Sequence, residues 1–532
     1  MEEIEPASTL SESSAANRQI ARAAGTIMIA FALSNLIGLV RQILITRAFG
    51  TGSEIDAFYA ASTYPDLIFS LVAGGALSSA FIPTFTGFLV KEDRAAAWRL
   101  ASSIINLILL ILIALSLLSA VFAAQIIRYV LAPDFAAGEQ ALATSLLRIL
   151  LISPAIFGVS GLMMGILNAH QRFWLPALAP SMYWIGLIVG LLFLVPSMGI
   201  FGLAWGAVIG AALHLAVQLP DIFRLPGRVL LPTLGLDNPA VREVGRLIAP
   251  RLLGVAVVQI NFVVNVVIAS GLPVGSLSAI KNAWMVMTVP EVVIAQAIAI
   301  AALPTFSAQA ARGAPQEMRT SLAATLRGVL FLSLPASLGL ILLRRPLIVL
   351  LFQRGEFDAH STDLVAWALL WYAAGLIGHS VVEILSRAFY ALHDTKTPVF
   401  VGAVAMSLNV VFSIAFSMLF ARIGWMPHGG LALANSFATA LEMTALLVLM
   451  RRRLHGIEGG RITQGLLQAA LAALGMSGVI WLWSRAVSDA WLLGLGGVTL
   501  GALVYMAVIW ALKVPELSTL IAGVTRRLKR AA

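Results

Sequence analysis

Arg41 lies in the middle of "SNLIGLVRQILITRAFG", residues 34–50, with Asn35 before it and Arg47 after it. The residues around it are apolar, and a charge in such a setting is costly unless it pairs or meets a ligand. Arginine suits phosphate, because its planar guanidinium donates paired hydrogen bonds and stays charged. The next acids of interest are Asp56, in "IDAFYAA", and Asp66, directly after Pro65. Two roles for Arg41 follow. It binds an anionic ligand, with Asn35, Asp56 and Asp66 nearby, or Asp66 holds it in a structural ion pair.

A second set is His379, Glu383 and Arg387, spaced by four so that they share one helix face. Such a ladder can relay protons with His379 as the titrating member. It can equally be a neutral stripe in which Glu383 and Arg387 cancel. Asn261, Asn265, Asn409, Asn435, Thr439 and Glu442 are oxygen-bearing candidates for a sodium ion. Polar side chains also hold membrane helices together, so sodium or proton coupling stays an alternative to simple packing. His170 and His393 fit an inner gate or helix cap better than a metal. Cysteine is absent. The chain has no HExxH pair, Walker motif, paired catalytic carboxylates or nucleophile triad, so it is not expected to be an enzyme or to hold a cofactor.

The elements that must position these residues are membrane helices. The chain has 532 residues, 60% of them hydrophobic and 11% charged, whereas a soluble chain carries roughly 25% charged residues. Apolar runs of ~20 residues or more recur along it, enough to cross a bilayer as helices. The short alternating segments of a membrane barrel are absent. The expectation is an all-α polytopic protein with fourteen spans, including 23–46, a long interrupted span over 56–88 and one over 243–269. Pro65, Gly74–Gly75 and Pro83 interrupt the second, and broken spans often line a cavity. Residues 1–22 form a polar cytoplasmic tail. Basic residues concentrate in alternate loops, as at Lys91, Arg94, Arg99, Arg172, Arg224, Arg228 and Arg451 to Arg453. The positive-inside rule then places both termini in the cytoplasm. The net charge of +10 follows from this bias and from anionic membrane lipids; no nucleic acid is needed.

The chain also repeats. "YPDLIFSLVAGGALSSAFIPTF" (64–85) matches "VPEVVIAQAIAIAALPTF" (289–306), each with Pro followed by an acid and then Pro-Thr-Phe. "GILNAHQRFWLPA" (165–177) matches "RAFYALHDTKTPV" (387–399), pairing His170 with His393. The offsets stay near 223, which predicts two parallel six-helix lobes, 23–224 and 225–453. Residues 454–532 add two further helices and a basic tail. Such repeats commonly rock to give alternating access.

The segments "GLVRQILITRAFGTGSEIDAFYAA", "AFIPTF", "GILNAHQRFWLPALAP", "LFQRGEF" and "LSRAFYALHDTKTPV" occur in order across the chain. Together they resemble the MurJ (MviN) family, the lipid II flippases of bacterial cell-wall synthesis, within the multidrug/oligosaccharidyl-lipid/polysaccharide exporter superfamily. The resemblance implies a protein of the bacterial inner membrane that moves lipid II, or a related polyprenyl-pyrophosphate glycolipid, between leaflets. It implies a groove at helices 13 and 14 for the polyprenyl tail, and cell-wall synthesis proteins as partners. Arg41 matches a family position implicated in head-group binding, and Asp56 a family acid. Elsewhere the chain departs from the pattern. Phe69, Ser70, Met285 and Asn35 stand where Arg is common, Gly74 and Thr288 where Glu is common, and Trp284 and Gln42 where Asp is common. These losses keep two alternatives open: a flippase of another polyprenyl-linked glycan and a non-transporting scaffold of cell-wall assembly. A drug or ion exporter on the same scaffold is a further alternative, against which helices 13 and 14 argue, since such exporters typically have twelve.

Overall fold

A computed structural model describes residues 30, 33–72, 76–512 and 514, without the side chains of 72, 76–80, 249–254 and 257–258. The tail expected over 1–22, Gly74 and Gly75, and the basic residues from Lys513 onward lie outside the described residues. Every regular element among the described residues is helical. In chain order the longer ones are α1 (33–49), α2 (Ser53–Val72), α3 (Ala76–Val90), α4 (Arg94–Val121), α5 (Ala137–Ala169), α6 (Trp174–Met198), α7 (Ile200–Phe223) and α8 (Pro239–Ser270). They continue as α9 (Ser276–Ala311), α10 (Pro315–Phe352), α11 (Ala359–Ala391), α12 (Lys396–Arg422), α13 (His428–Arg453), α14 (Gly459–Ala486) and α15 (Ala490–Ala511).

Eleven of these are long and apolar enough to cross a membrane, against fourteen spans expected. The first expected span begins outside the described residues, and the second lies on both sides of 73–75. The seventh, α8, contributes a shorter apolar stretch over Gln259–Ser270. The helix starts have physical causes. Asp93, Asp358 and Asp489 stand at N-caps and accept the backbone N–H of Ala96, Ser361 and Leu492. Each satisfies a donor that the first helical turn leaves unpaired.

The chain divides into two compact units. The first runs to Val267, except that Arg47–Gly52 belongs with the second, which continues from Ile268. The division falls inside α8, well past the start of the second lobe expected at 225.

In the first unit, α6 and α7 pack through glycines. A Cβ on Gly186 would collide with the backbone of Gly210, and one on Gly190 with that of Gly206. The Gly202, Gly206 and Gly210 series thus lets two backbones touch, as small-residue stripes do in membranes. A buried polar cluster ties α5 to α7: Gln218 Nε2 donates to Ser160 Oγ at 2.7 Å, and Ser160 Oγ lies 2.6 Å from His214 Nδ1.

In the second unit, two of the resemblance-bearing motifs dock on each other. Glu356 N–H donates to Arg47 C=O at 3.0 Å, and Thr51 Oγ1 donates to Ser361 Oγ at 2.9 Å. Gly355, at φ 65°, leaves no room for a Cβ against the Arg47 carbonyl, so "QRGEF" needs its glycine there. Two apolar cores follow. One gathers Phe306, Leu322, Ile384, Phe389 and Met450, and the other Phe331, Ala472, Met476, Ile480 and Tyr505.

Helix ends carry the repeat. Gln171 and His393 both take φ 58°. Gln171 N–H donates to Asn168 C=O and Arg172 N–H to Leu167 C=O; His393 N–H donates to Tyr390 C=O and Asp394 N–H to Phe389 C=O. The same termination recurs at Glu92 and Gly313, with φ 59° and 62°. This corrects the expected register by one residue. Gln171, not His170, is the counterpart of His393, and His170 corresponds to Leu392.

Candidate functional site

Arg41 is half-buried on α1. Its guanidinium carbon lies 4.3 Å from the ring centroid of Trp184 on α6. Nη2 donates to Gln42 Oε1 at 2.7 Å, and Gln42 Nε2 donates to Tyr59 Oη on α2 at 2.7 Å. Nε is buried without a hydrogen-bond partner among the described residues. Asp66 and Tyr183 lie within electrostatic range of the guanidinium. Asp66 is itself exposed, and the described contacts of Arg41 are the Gln42 amide and the Trp184 face. The cation–π contact holds the guanidinium at the indole face while its N–H groups remain donors.

The surroundings are aromatic. Phe69 meets Phe157 at 4.8 Å, Phe157 meets Tyr183 at 5.2 Å, and Tyr183 meets Trp184 at 4.9 Å. Phe69 therefore stands at the head of a ring chain that ends under Arg41. Asp56 is buried in the first turn of α2 and within electrostatic range of Tyr59. Asn35 is exposed on α1, below Arg41 along the helix.

In the second unit the His379 ladder is divided. His379 Nε2 lies 3.0 Å from Asn435 Oδ1 and 3.3 Å from Thr439 Oγ1, both on α13. Its ring meets Trp284 of α9 at 5.4 Å. Two sodium candidates and the proton candidate thus share one hydrogen-bonded group. Glu383 and Arg387 pair with each other at 2.7 Å. Asn409 is buried and accepts from Ser413 at 3.4 Å. In the first unit, Asn265 Nδ2 donates to Asn261 Oδ1 at 3.0 Å.

The second unit also contains a groove of about 720 Å³. Phe331, Leu343, Ile480, Gly501 and Ile509 are among its lining residues, which come chiefly from α10, α14 and α15. Tyr505 closes part of its wall and donates its hydroxyl to Phe331 C=O at 2.7 Å. Among the described residues, no charged side chain lines it.

Comparison with known proteins gives the fold and site a context. The family model described as "Lipid II flippase MurJ" matches residues 45–499. The chain belongs to the MurJ family. It is 31% identical over 431 residues to the lipid II flippase MurJ of Burkholderia cenocepacia, covering 79% of this chain and 82% of that protein. A probable lipid II flippase MurJ of Bdellovibrio bacteriovorus is 32% identical over 456 residues, covering 83% and 84%. A solved MurJ structure, in an inward closed conformation, superposes with a TM-score of 0.78 at 27% identity, over 91% of this chain and 97% of that one. An inward-facing MATE multidrug transporter of the MOP superfamily superposes at 0.67 with 15% identity, over 81% and 99%; that likeness extends to the fold alone.

Within this chain, aromatic and polar groups hold several of the positions where family members carry a charge. Phe69 is part of the ring chain, and Trp284 packs between Tyr372, at 5.2 Å, and His379. Thr288 donates to the Trp284 carbonyl at 2.8 Å. Gln42 bridges Arg41 to Tyr59. The sequence reading missed Trp184, Tyr59, Tyr183 and Glu291. Trp184 carried a signal, since tryptophan concentrates at membrane interfaces and this one falls in the middle of an apolar span.

Proposed function

We propose that this chain is a lipid II flippase, moving the undecaprenyl-pyrophosphate-linked precursor from the inner to the outer leaflet for cell-wall synthesis. The observation that carries the reading is the groove built by α10 with α14 and α15, apolar among the described residues, in a chain of the MurJ family. A groove of that size, within the roughly 300–1,000 Å³ of ordinary ligand pockets, takes a segment of an isoprenoid chain while the remainder stays in lipid. Arg41 supplies the other half of the requirement. The head group cannot enter hydrocarbon without partners for its charges, and a guanidinium held over an indole face, with donors beyond the one given to Gln42, suits a phosphate oxygen.

In this reading Arg41 is the phosphate ligand, Asp66 and Asp56 set the local charge, and Asn35 offers an amide along the entry face. The helix-end repeat supports lobes at 23–224 and 225–453 that rock to alternate access. Both termini lie in the cytoplasm of a bacterial inner-membrane protein. Energy comes from the membrane potential or a cation gradient, with His379, Asn435 and Thr439 as the coupling group. Cell-wall synthesis proteins are its expected partners. The chain carries its substrate and performs no covalent step on it. A second reading, a flippase for another polyprenyl-linked glycan, is favoured by Phe69 and Met285, which leave fewer charges for pyrophosphate.

Complementation of a flippase-depleted bacterium tests the proposal. Wild type rescues growth and Arg41→Ala does not, with both proteins present in the membrane at equal level. Rescue by neither moves the proposal to the second reading.

A further inference from the structure

Glu291 follows Pro290 as Asp66 follows Pro65. Its surroundings give it a separate meaning. Trp284 on α9 sits between Tyr372 and His379 of α11, at 5.2 and 5.4 Å. Further along the same two helices, Ala299 and Phe306 share a core with Ile384, Ala388 and Phe389, so α9 and α11 run in parallel. Two helical turns beyond Trp284 on one helix, and a matching step beyond the Tyr372–His379 pair on the other, Glu291 comes opposite Glu383. The two carboxylates are electrostatic neighbours. Glu383 is already the partner of Arg387, whose Nε is buried with no hydrogen-bond partner among the described residues. Glu291 makes no ion pair among the described residues. A π-helical turn, Val292–Gln296, begins directly after it, and such turns often mark functional positions in helices.

Two carboxylates and one guanidinium carry a net charge of −1, on helices whose nearby residues, Val382 and Ile384 on α11 and Ile298 and Ala299 on α9, belong to or pack against an apolar core shared with α10. We propose that Glu291, Glu383 and Arg387 form a proton-binding site within the second unit, where one hydrogen is taken up by the carboxylate pair. The step is a simple O–H bond formation on a carboxylate oxygen, and it takes the set to neutrality. Protonation belongs to the pair rather than to one residue. A hard cation needs a shell of converging oxygens, and here Arg387 already occupies one of the two carboxylates.

Of the other ionisable groups on the packed helices, Tyr390 adjoins the set, and His379, Glu442 and Arg327 have other contacts. From α11, His379 faces Asn435 and Thr439, while Tyr390 lies beside Arg387, 5.9 Å from its guanidinium carbon. From α13, Glu442 turns to α12, with Oε1 3.2 Å from where a Cβ on Gly402 would stand. From α10, Arg327 lies against Gly465 of α14 and donates to the Arg461 carbonyl at 3.2 Å. Uptake of one proton changes the charge inside the membrane by one unit, which a membrane potential or a pH gradient can act on.

Infrared difference spectroscopy of the full chain in phosphatidylglycerol–phosphatidylethanolamine vesicles, titrated with acid, tests the site without any transported lipid. Its outcome is therefore separate from that of the flippase reading. The wild type gains a carboxylic-acid C=O band with a single midpoint. Glu291→Gln loses that band, Glu291→Asp keeps it, and Arg387→Gln moves the midpoint up by about one to three pH units. Circular dichroism confirms that each variant is folded. An unchanged band in folded Glu291→Gln overturns the proposal. So does a midpoint that moves when sodium replaces choline at constant ionic strength, which would assign the site to a metal cation.

Discussion

Trp184 presents its ring face to Arg41, with the guanidinium carbon 4.3 Å from the ring centroid. The contact joins α6 to α1 and orients a charge whose other described anchor is the side-chain amide of Gln42. A cation over an indole is stabilised by about 0.5–2 kcal/mol. Trp184→Leu therefore loosens Arg41 and weakens head-group binding by that amount, while the helices stay folded. Binding of a short-chain polyprenyl pyrophosphate, measured by microscale thermophoresis on both proteins, checks this. Equal affinities would remove Trp184 from the site.

The groove in the second unit predicts a dependence on chain length. Ala502 is exposed toward it on α15. Ala502→Trp fills part of the apolar space and lowers transport of a long-chain lipid carrier more than of a short-chain one. A parallel loss for both chain lengths in a vesicle assay would show that the groove does not hold the tail.

Close packing of α6 on α7 predicts a stability effect unconnected to charge. A Cβ on Gly210 meets the Tyr183 ring at 2.9 Å and its backbone closer still. Gly210→Val costs about 1–3 kcal/mol of overpacking and lowers the thermal midpoint in detergent. Because Tyr183 adjoins Trp184, it also disturbs Arg41. Gly478→Val, with nothing within 4 Å of its Cβ position, serves as the control and leaves the midpoint unchanged.

Asp358, outside the membrane span at the start of α11, predicts a pH dependence. The Ser361 backbone N–H, donated at 2.7 Å, holds its carboxyl below the usual carboxylate range. A value lowered by folding contributes stability that is complete above the unfolded value, about 3.9, and is lost as pH falls through the folded value. Asp358→Ala removes the cap and costs roughly 0.5–2 kcal/mol near neutral pH. Asp358→Asn keeps the cap and flattens the acid limb. Thermal unfolding across an acid pH series separates the three proteins.

Much of this was legible in the sequence, for identifiable reasons. Apolar runs long enough to cross a bilayer must be helices, because backbone groups have no other partner there. The repeat was visible because helix ends depend on local backbone geometry, which short motifs record. The one-residue error at His170 arose because two histidines look alike in sequence, while the left-handed turn residue is Gln171 in one copy and His393 in the other. Side-chain partnerships across helices were not legible. The His379, Glu383 and Arg387 spacing suggested one ladder, yet His379 turns to Asn435 and Thr439 on α13 while Glu383 and Arg387 pair with each other. Spacing on one helix defines a face but not the neighbour that face meets. Trp184 and Gln42 were hidden for the same reason: their roles come from packing α1 on α2 and α6.

The most direct test of the central claim is lipid II translocation by the purified chain in vesicles, read as protection of fluorescent lipid II from an external quencher. The wild type moves lipid II, and Arg41→Ala, folded and reconstituted at equal density, slows it roughly 10- to 150-fold, the loss of one charge-assisted contact of about 1.5–3 kcal/mol. Translocation by Arg41→Ala at the wild-type rate would contradict the role of Arg41, and no translocation by the wild type would contradict lipid II as the substrate.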